Sequence, residues 1–159
     1  MSDKAEVTMY FDKKLSFFNV EITDRTELLK FMSDKLLEAG FVKDSFQEAL
    51  LQREVEYPTG LEAAHCGVAL PHTDSIHVND SQVCFVKLKT PIKFRDMVDA
   101  SEEVEVKFVF MLAMKEAHEQ IENLQNLTLM LESASTVEKL HTLQNRAEFE
   151  EILRVSNLK

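Results

Sequence analysis

Glycine is scarce in this chain, with Gly40, Gly60 and Gly67 its three among 159 residues. Three scattered glycines build neither a GxGxxG turn nor a Walker A loop, which excludes the common phosphate-cradling routes to nucleotide binding. Cysteine is equally sparse: Cys66 and Cys84 have neither CxxC spacing nor a secretory context. They read as reduced thiols in a cytoplasm, acting as small buried hydrophobes rather than nucleophiles. Positive charge is in deficit, 18 Lys and Arg against 28 Asp and Glu, for a net charge of −10. That balance argues against nucleic acid and against an anionic membrane surface, and no Lys/Arg-rich stretch reverses it locally. No apolar window approaches a membrane span, and the opening "MSDKAEVTMY" lacks a signal-peptide core, so direct membrane insertion is not expected. No repeat, low-complexity tract or linker divides the chain. A hydrophobic fraction of 45% with 29% charged residues predicts one folded domain over residues 1–159, acidic and cytoplasmic.

Periodicity supplies the elements. Leu15 to Val20 reads as a first strand, and Asp24 with Glu27 as a capping box for a helix whose Leu28, Leu29, Met32, Leu36 and Leu37 recur at helical spacing up to Gly40. Asp44 with Gln47 predicts the start of a second helix that closes before Pro58. Gly67 to Leu70 is a short apolar strand, "QVCFVKL" a second strong one, and "EVEVKFVFMLAM" alternates before turning fully apolar, as a central strand covered on both faces does. From about residue 117, Ile121, Leu124, Leu127 and Leu131 are helically spaced. Ser135 with Glu138 and Asn145 with Glu148 read as caps of two closing helices. Short strand connections require some antiparallel pairing. The expected fold is α/β, a three-layer sandwich with a mixed β-sheet flanked by helices on both faces.

The stretch "GVALPHTDSIH" at 67–77 carries the chemistry. Pro71 cannot donate to a central ladder, so the strand stops there and His72 stands at its end, able to meet solvent or a partner. An imidazole is nucleophilic and largely neutral near pH 7, so attack on phosphorus needs only a ring with one nitrogen exposed. The bland alternative is a surface histidine in a polar loop. His118 stands where the apolar "EVEVKFVFMLAM" strand gives way to a helix, in the same kind of position, and two such histidines can share one phosphate. Alone, it reads as a solvated first-turn residue.

"HEQIE" at 118–122 lacks the second histidine of a zinc HExxH helix, and His65, Cys66, His72 and His77 fit no common metal spacing. Arg53 in "QREVEYPTG" suits a phosphoryl clamp, its guanidinium planar and always charged, against the alternative of an exposed pair with Glu54 or Glu56. Thr59, before Gly60, offers a hydroxyl to an anion, though "PTG" is also simply a turn. Ser75 has no GxSxG elbow, so hydrolase chemistry has no support. The apolar residues Ile76 and Val78 are expected to form part of a docking face beside His72.

"QREVEYPTG", "GVALPHTDSIHV" and the apolar strand running into "KEAHEQI" resemble, in that order, the enzyme IIA domains of the bacterial phosphotransferase system. The match is to the fructose/mannitol-type superfamily, its galactitol-like branch above all, over roughly residues 10 to 155. The Pro-His box is the specific part. The resemblance implies a phosphotransferase in sugar or polyol transport, with no cofactor and no metal. His72 matches the histidine that takes a phosphoryl group from the phosphocarrier HPr through Nε2. From there the group passes to a cysteine of the cognate enzyme IIB, and so toward the membrane enzyme IIC. His118 matches a supporting second histidine, Arg53 the phosphoryl clamp and Thr59 a phosphate-binding residue. The carboxylates of Asp74, Glu54 and Glu56 fit awkwardly beside a phosphoryl dianion, and are expected either to point away or to keep the group transferable by repulsion.

Two other readings compete. One is a phosphorylation-sensing regulatory enzyme IIA-like module. Such modules sit inside longer chains, and with nothing further read at either end a free-standing transport component is expected instead. The other is a small-molecule binding protein, which predicts a deep apolar cavity and a buried His72.

Overall fold

The computed structural model describes residues 11–63 and 66–155. Strand β1 (Phe11–Val20) leads to helices α1 (Arg25–Glu38) and α2 (Phe46–Glu56), then to the short strands β2 (Gly60–Ala63) and β3 (Cys66–Ala69). After a single 3-10 turn at Ser75–His77 come β4 (Gln82–Arg95) and β5 (Glu103–Ala113). Helices α3 (Ala117–Leu131), α4 (Ala134–His141) and α5 (Arg146–Val155) follow. The five-stranded sheet has the order β1-β4-β5-β3-β2. β1 on β4 and β3 on β5 are parallel, whereas β4 with β5 and β2 with β3 are antiparallel.

The fully apolar stretch of β5 is explained by two cores on opposite sheet faces. Val109, Met111 and Ala113 point toward α1 and α2, meeting Leu28, Met32, Leu36, Phe46 and Leu50. Their neighbours Phe108, Phe110 and Leu112 point the other way, toward Leu127, Leu131, Val137, Leu140 and Phe149 of the last three helices. Period-two alternation thus serves both layers, and each buried large side chain contributes about 1.5–3 kcal/mol of transfer free energy. The expected three-layer mixed sheet is what the chain forms.

Several local expectations change. The capping box expected at Asp44 and Gln47 is absent. α2 begins at Phe46, and the Gln47 amide reaches back to α1, donating to Ser33 Oγ at 2.7 Å and Asp34 Oδ1 at 2.9 Å. Asp24 does cap α1, accepting from Glu27 N at 2.9 Å. α4 is capped by Ser133, which accepts from Thr136 N, rather than by Ser135. Asn145 accepts from Glu148 N at 3.0 Å, as its spacing requires. β4 runs on through Pro91, past the end of "QVCFVKL". Gly67 marks a close approach, since a Cβ there would lie 2.1 Å from Glu105 O on β5. Cys66 and Cys84 are both buried, and burial raises the Cys66 thiol to about 11, as far from a reactive thiolate as the sequence implies.

Among the described residues, no helix is long and apolar enough to cross a membrane.

Candidate functional site

β3 is buried along its whole length, and the chain leaves the sheet at Leu70 and Pro71. One further contact holds the exit in line: Leu112 N donates to Pro71 O at 2.9 Å, and His72 bridges Leu112 of β5. His72 is therefore carried at the rim of a rigid sheet, half-buried, rather than on a free loop. Its Nδ1 lies 2.7 Å from Leu70 O. A carbonyl only accepts, so Nδ1 carries the hydrogen, and in the neutral ring the lone pair is on Nε2. Burial lowers the His72 pKa from its usual 6.5, and the nearby Arg53 charge adds to this. The Leu70 hydrogen bond and the Asp74 carboxylate act in the opposite sense, the former outweighing Arg53. The net effect is a ring that stays neutral at pH 7 with Nε2 available as a nucleophile.

Arg53 projects from α2 toward the same segment. Its Nη1 donates to Asp74 Oδ1 at 3.3 Å, and its Cζ stands 5.0 Å from the Tyr57 ring centroid. Its Nε is buried with no partner. The expected pair with Glu54 or Glu56 does not form. Glu54, the next residue on the helix, turns inward and is 7% exposed. It accepts from Thr59 N and from Thr59 Oγ1, each at 2.9 Å, and Thr59 Oγ1 in turn accepts from Leu70 N at 3.2 Å. Thr59 is thus 3% exposed with its hydroxyl already committed. In this arrangement the Thr59 hydroxyl joins Glu54 to the strand end behind His72. Desolvation raises the Glu54 carboxyl from its usual 4.5 to about 6, against the lowering effects of the Thr59 bonds and of Arg25 and Arg95.

In front of His72 lies an open hollow of about 620 Å³, walled by Asp74 and Ile76 on one side and by Gln120, Ile121 and Leu124 of α3 on the other. It is a shallow groove, not the deep apolar cavity that a small-molecule binding protein would need. Ile76 is 69% exposed and Ile121 58%, so the rim of the groove is apolar. Val78, expected to share that face, is 2% exposed and bridges Val42 in the core. His118 is exposed on the first turn of α3 and is not part of the groove wall, and Gln120 stands on the wall in its place. His77 holds Ser45 Oγ through Nδ1 at 2.8 Å, and His65 lies outside the described residues.

Two residues were missed by sequence reasoning. The letters present Glu54 as one of two charges flanking Arg53, although residues adjacent on a helix point about 100° apart, and here Glu54 is the one that faces the core. Gln120 gave no signal, being one glutamine in a polar first turn.

Residues 9–155 match the family described as the phosphoenolpyruvate-dependent sugar phosphotransferase system, EIIA 2. The galactitol-specific EIIA component of Escherichia coli (strain K12) is 30% identical over 124 residues, covering 78% of this chain and 82% of that protein. The mannitol-specific phosphotransferase enzyme IIA component of Mycoplasma pneumoniae is 30% identical over 131 residues, covering 78% of this chain and 81% of that protein. Among solved structures, the complex of the mannitol enzyme IIA with phosphorylated enzyme IIB from Escherichia coli has an enzyme IIA-type fold that superposes with a TM-score of 0.73. It is 23% identical and covers 91% of this chain and 98% of that one. A histidine presented at a sheet rim over a shallow groove is thus found on a chain that belongs to the EIIA 2 family of the sugar phosphotransferase system, and it is a phosphotransferase, a phosphoryl-transfer EIIA component.

Proposed function

We propose that His72 is the residue that carries the phosphoryl group, and that Nε2 is the atom. The observation that carries this reading is the 2.7 Å approach of Nδ1 to Leu70 O, which assigns the hydrogen to one nitrogen and the lone pair to the other. In the loading step the Nε2 lone pair attacks the phosphorus of phosphohistidine on HPr. The new N–P bond forms as the donor's N–P bond breaks, and the departing imidazole keeps the electron pair. With Nδ1 still protonated, the loaded ring has imidazolium character, which the Leu70 carbonyl stabilises and which makes the ring a good leaving group. In the unloading step a cysteine thiolate of enzyme IIB attacks, an S–P bond forms and the His72 N–P bond breaks, returning the neutral ring.

The protein's contribution is orientation and charge. Arg53 is the clamp: its ion pair with Asp74 is exposed enough to exchange for phosphoryl oxygens, and its Nε has no partner to give up. The apolar rim at Ile76 and Ile121 is a docking surface for HPr and then for enzyme IIB, which is transient by the nature of a relay. The sugar is a polyol of the galactitol type, a reading supported by the relative that is 30% identical over most of both chains. The site of action is the cytoplasmic side of an enzyme IIC.

The test is incubation with phosphoenolpyruvate, enzyme I and HPr, followed by mass measurement. One acid-labile, alkali-stable phosphoryl group on the wild type and none on His72→Ala is the expected result. Equal loading of both proteins would move the site elsewhere.

A further inference from the structure

The wall of the groove facing His72 is built by one face of α3. Residues Ala117, Gln120, Ile121 and Leu124 recur at the spacing of three and four that keeps side chains on one side of a helix. His118 falls outside that set and is exposed, so the one side chain of this face with hydrogen-bond donors is Gln120. The helix start is well fixed. Glu119 Oε1 accepts from Glu116 N at 3.1 Å and from Ser81 Oγ at 2.6 Å, and Lys115 N donates to Ser81 Oγ at 2.8 Å.

Gln120 is also under-bonded. Its Nε2 donates to Thr73 O at 3.3 Å, one residue beyond His72, while its Oε1 is buried with no partner. A primary amide has two donor hydrogens and an acceptor oxygen, so this single long bond leaves a donor over and lets the group turn without losing more. Buried polar atoms are nearly always paired, and an unpaired one beside a reactive ring calls for an explanation.

We propose that Gln120 is a phosphoryl-binding residue of the site, tying the His72 segment to α3 through Thr73 and donating its free amide hydrogen to the phosphoryl group on His72. This rests on the reading of His72 as the phosphoryl carrier. The chemistry favours an amide for a relay. A carboxylate here would repel the phosphoryl oxygens, and a second imidazole would change charge between about pH 5 and 8. An amide donates at every pH without adding a charge that would trap the group. Arg53, whose charge already acts on His72, supplies a fixed cation, so Gln120 need not add a second one.

Three variants test this in the full chain: Gln120→Met, which keeps the shape without donors, Gln120→Glu and Gln120→His. Thermal melting and a proton–nitrogen correlation spectrum first establish that each is folded. Loading from phospho-HPr should slow about tenfold in Gln120→Met, the loss of one hydrogen bond to charge, chiefly in kcat rather than in KM for the donor. In Gln120→Glu the phosphorus resonance of the phosphohistidine should shift as the introduced carboxyl titrates, and its lifetime should shorten above that pKa. Gln120→His should restore loading and add an ionisation to the pH–rate profile that the wild type lacks. Wild-type kinetics in Gln120→Met overturn the proposal, as does a phosphorus resonance indifferent to the introduced carboxyl. If the wild type itself takes no phosphoryl group on His72, the failure belongs to the assignment of His72; if it loads and the variants match it, the failure belongs to Gln120 alone.

Discussion

Replacing Glu54 by glutamine tests the brace behind His72 more sharply than any change at the surface. Glu54 is 7% exposed and accepts two bonds from Thr59, and its carboxyl is raised from 4.5 to about 6 by desolvation. Between those two values the native state holds a proton on Glu54 that the unfolded chain has already released. The native state binds more protons, so the Glu54 contribution to stability falls as pH rises through this window and levels off above it. A shift from 4.5 to about 6 corresponds to about 2 kcal/mol at 1.36 kcal/mol per unit. Glutamine has no such ionisation and can still accept from Thr59 N while donating to Thr59 Oγ1.

His72 contributes to the pH dependence with the opposite sign. Its depressed pKa means that stability is lost as pH falls below its ordinary value of 6.5. Subtracting one stability curve from the other cancels the His72 contribution, which both proteins share. Urea melts of wild type and Glu54→Gln across pH 4 to 8 should therefore show the difference in unfolding free energy moving in favour of the variant. The change should be about 2 kcal/mol, most of it between pH 4.5 and 6.5. A difference that stays flat with pH would refute the burial-driven shift, and with it the view of Glu54 as a buried acid bracing the strand end.

Thr59→Val removes the hydroxyl that joins Glu54 to Leu70 N and leaves buried groups unpaired on both sides. The expected loss is about 2–4 kcal/mol, read as a fall of about 5–15 °C in melting temperature. Ile76→Asp places a charge on the apolar groove rim at a site 69% exposed, so melting should stay within about 0.5 kcal/mol of wild type while loading from phospho-HPr weakens about tenfold. Normal transfer in that variant would refute the docking face. Asp74→Asn breaks the 3.3 Å pair with Arg53 and removes a carboxylate from beside the phosphoryl group, so phosphohistidine in the variant should outlive that of the wild type. Equal lifetimes would discard the idea that Asp74 keeps the group transferable.

The sheet was legible because its cause is local. Pro71 follows the end of β3, where it has no ladder bond to give, and the unbroken apolar run of β5 announces a strand covered on two faces. The helix starts were less legible, since Gln47 and Ser135 obey the capping pattern as letters. Their neighbours decide otherwise: Gln47 finds partners on α1, and Ser133 is better placed for the orphan amide. The short β2 was missed because four residues between a turn and another strand carry no period of their own. At the site, the Pro-His pair is legible as letters while the side chains packed around it are not. The inward turn of Glu54, the commitment of the Thr59 hydroxyl and the place of Gln120, not His118, on the groove wall each depend on which way a side chain faces. Single-residue phase of that kind is set by packing that two layers of helices impose together.

The Leu70 carbonyl holds the hydrogen on Nδ1, and Nε2 of His72 is the nitrogen proposed to bond phosphorus. Nitrogen-15 spectra of histidine-labelled protein, loaded by phosphoenolpyruvate, enzyme I and HPr, read this directly. Phosphorus coupling to Nε2 of His72, with Nδ1 still protonated, is the predicted result. Coupling to Nδ1, or to any other histidine, would contradict it.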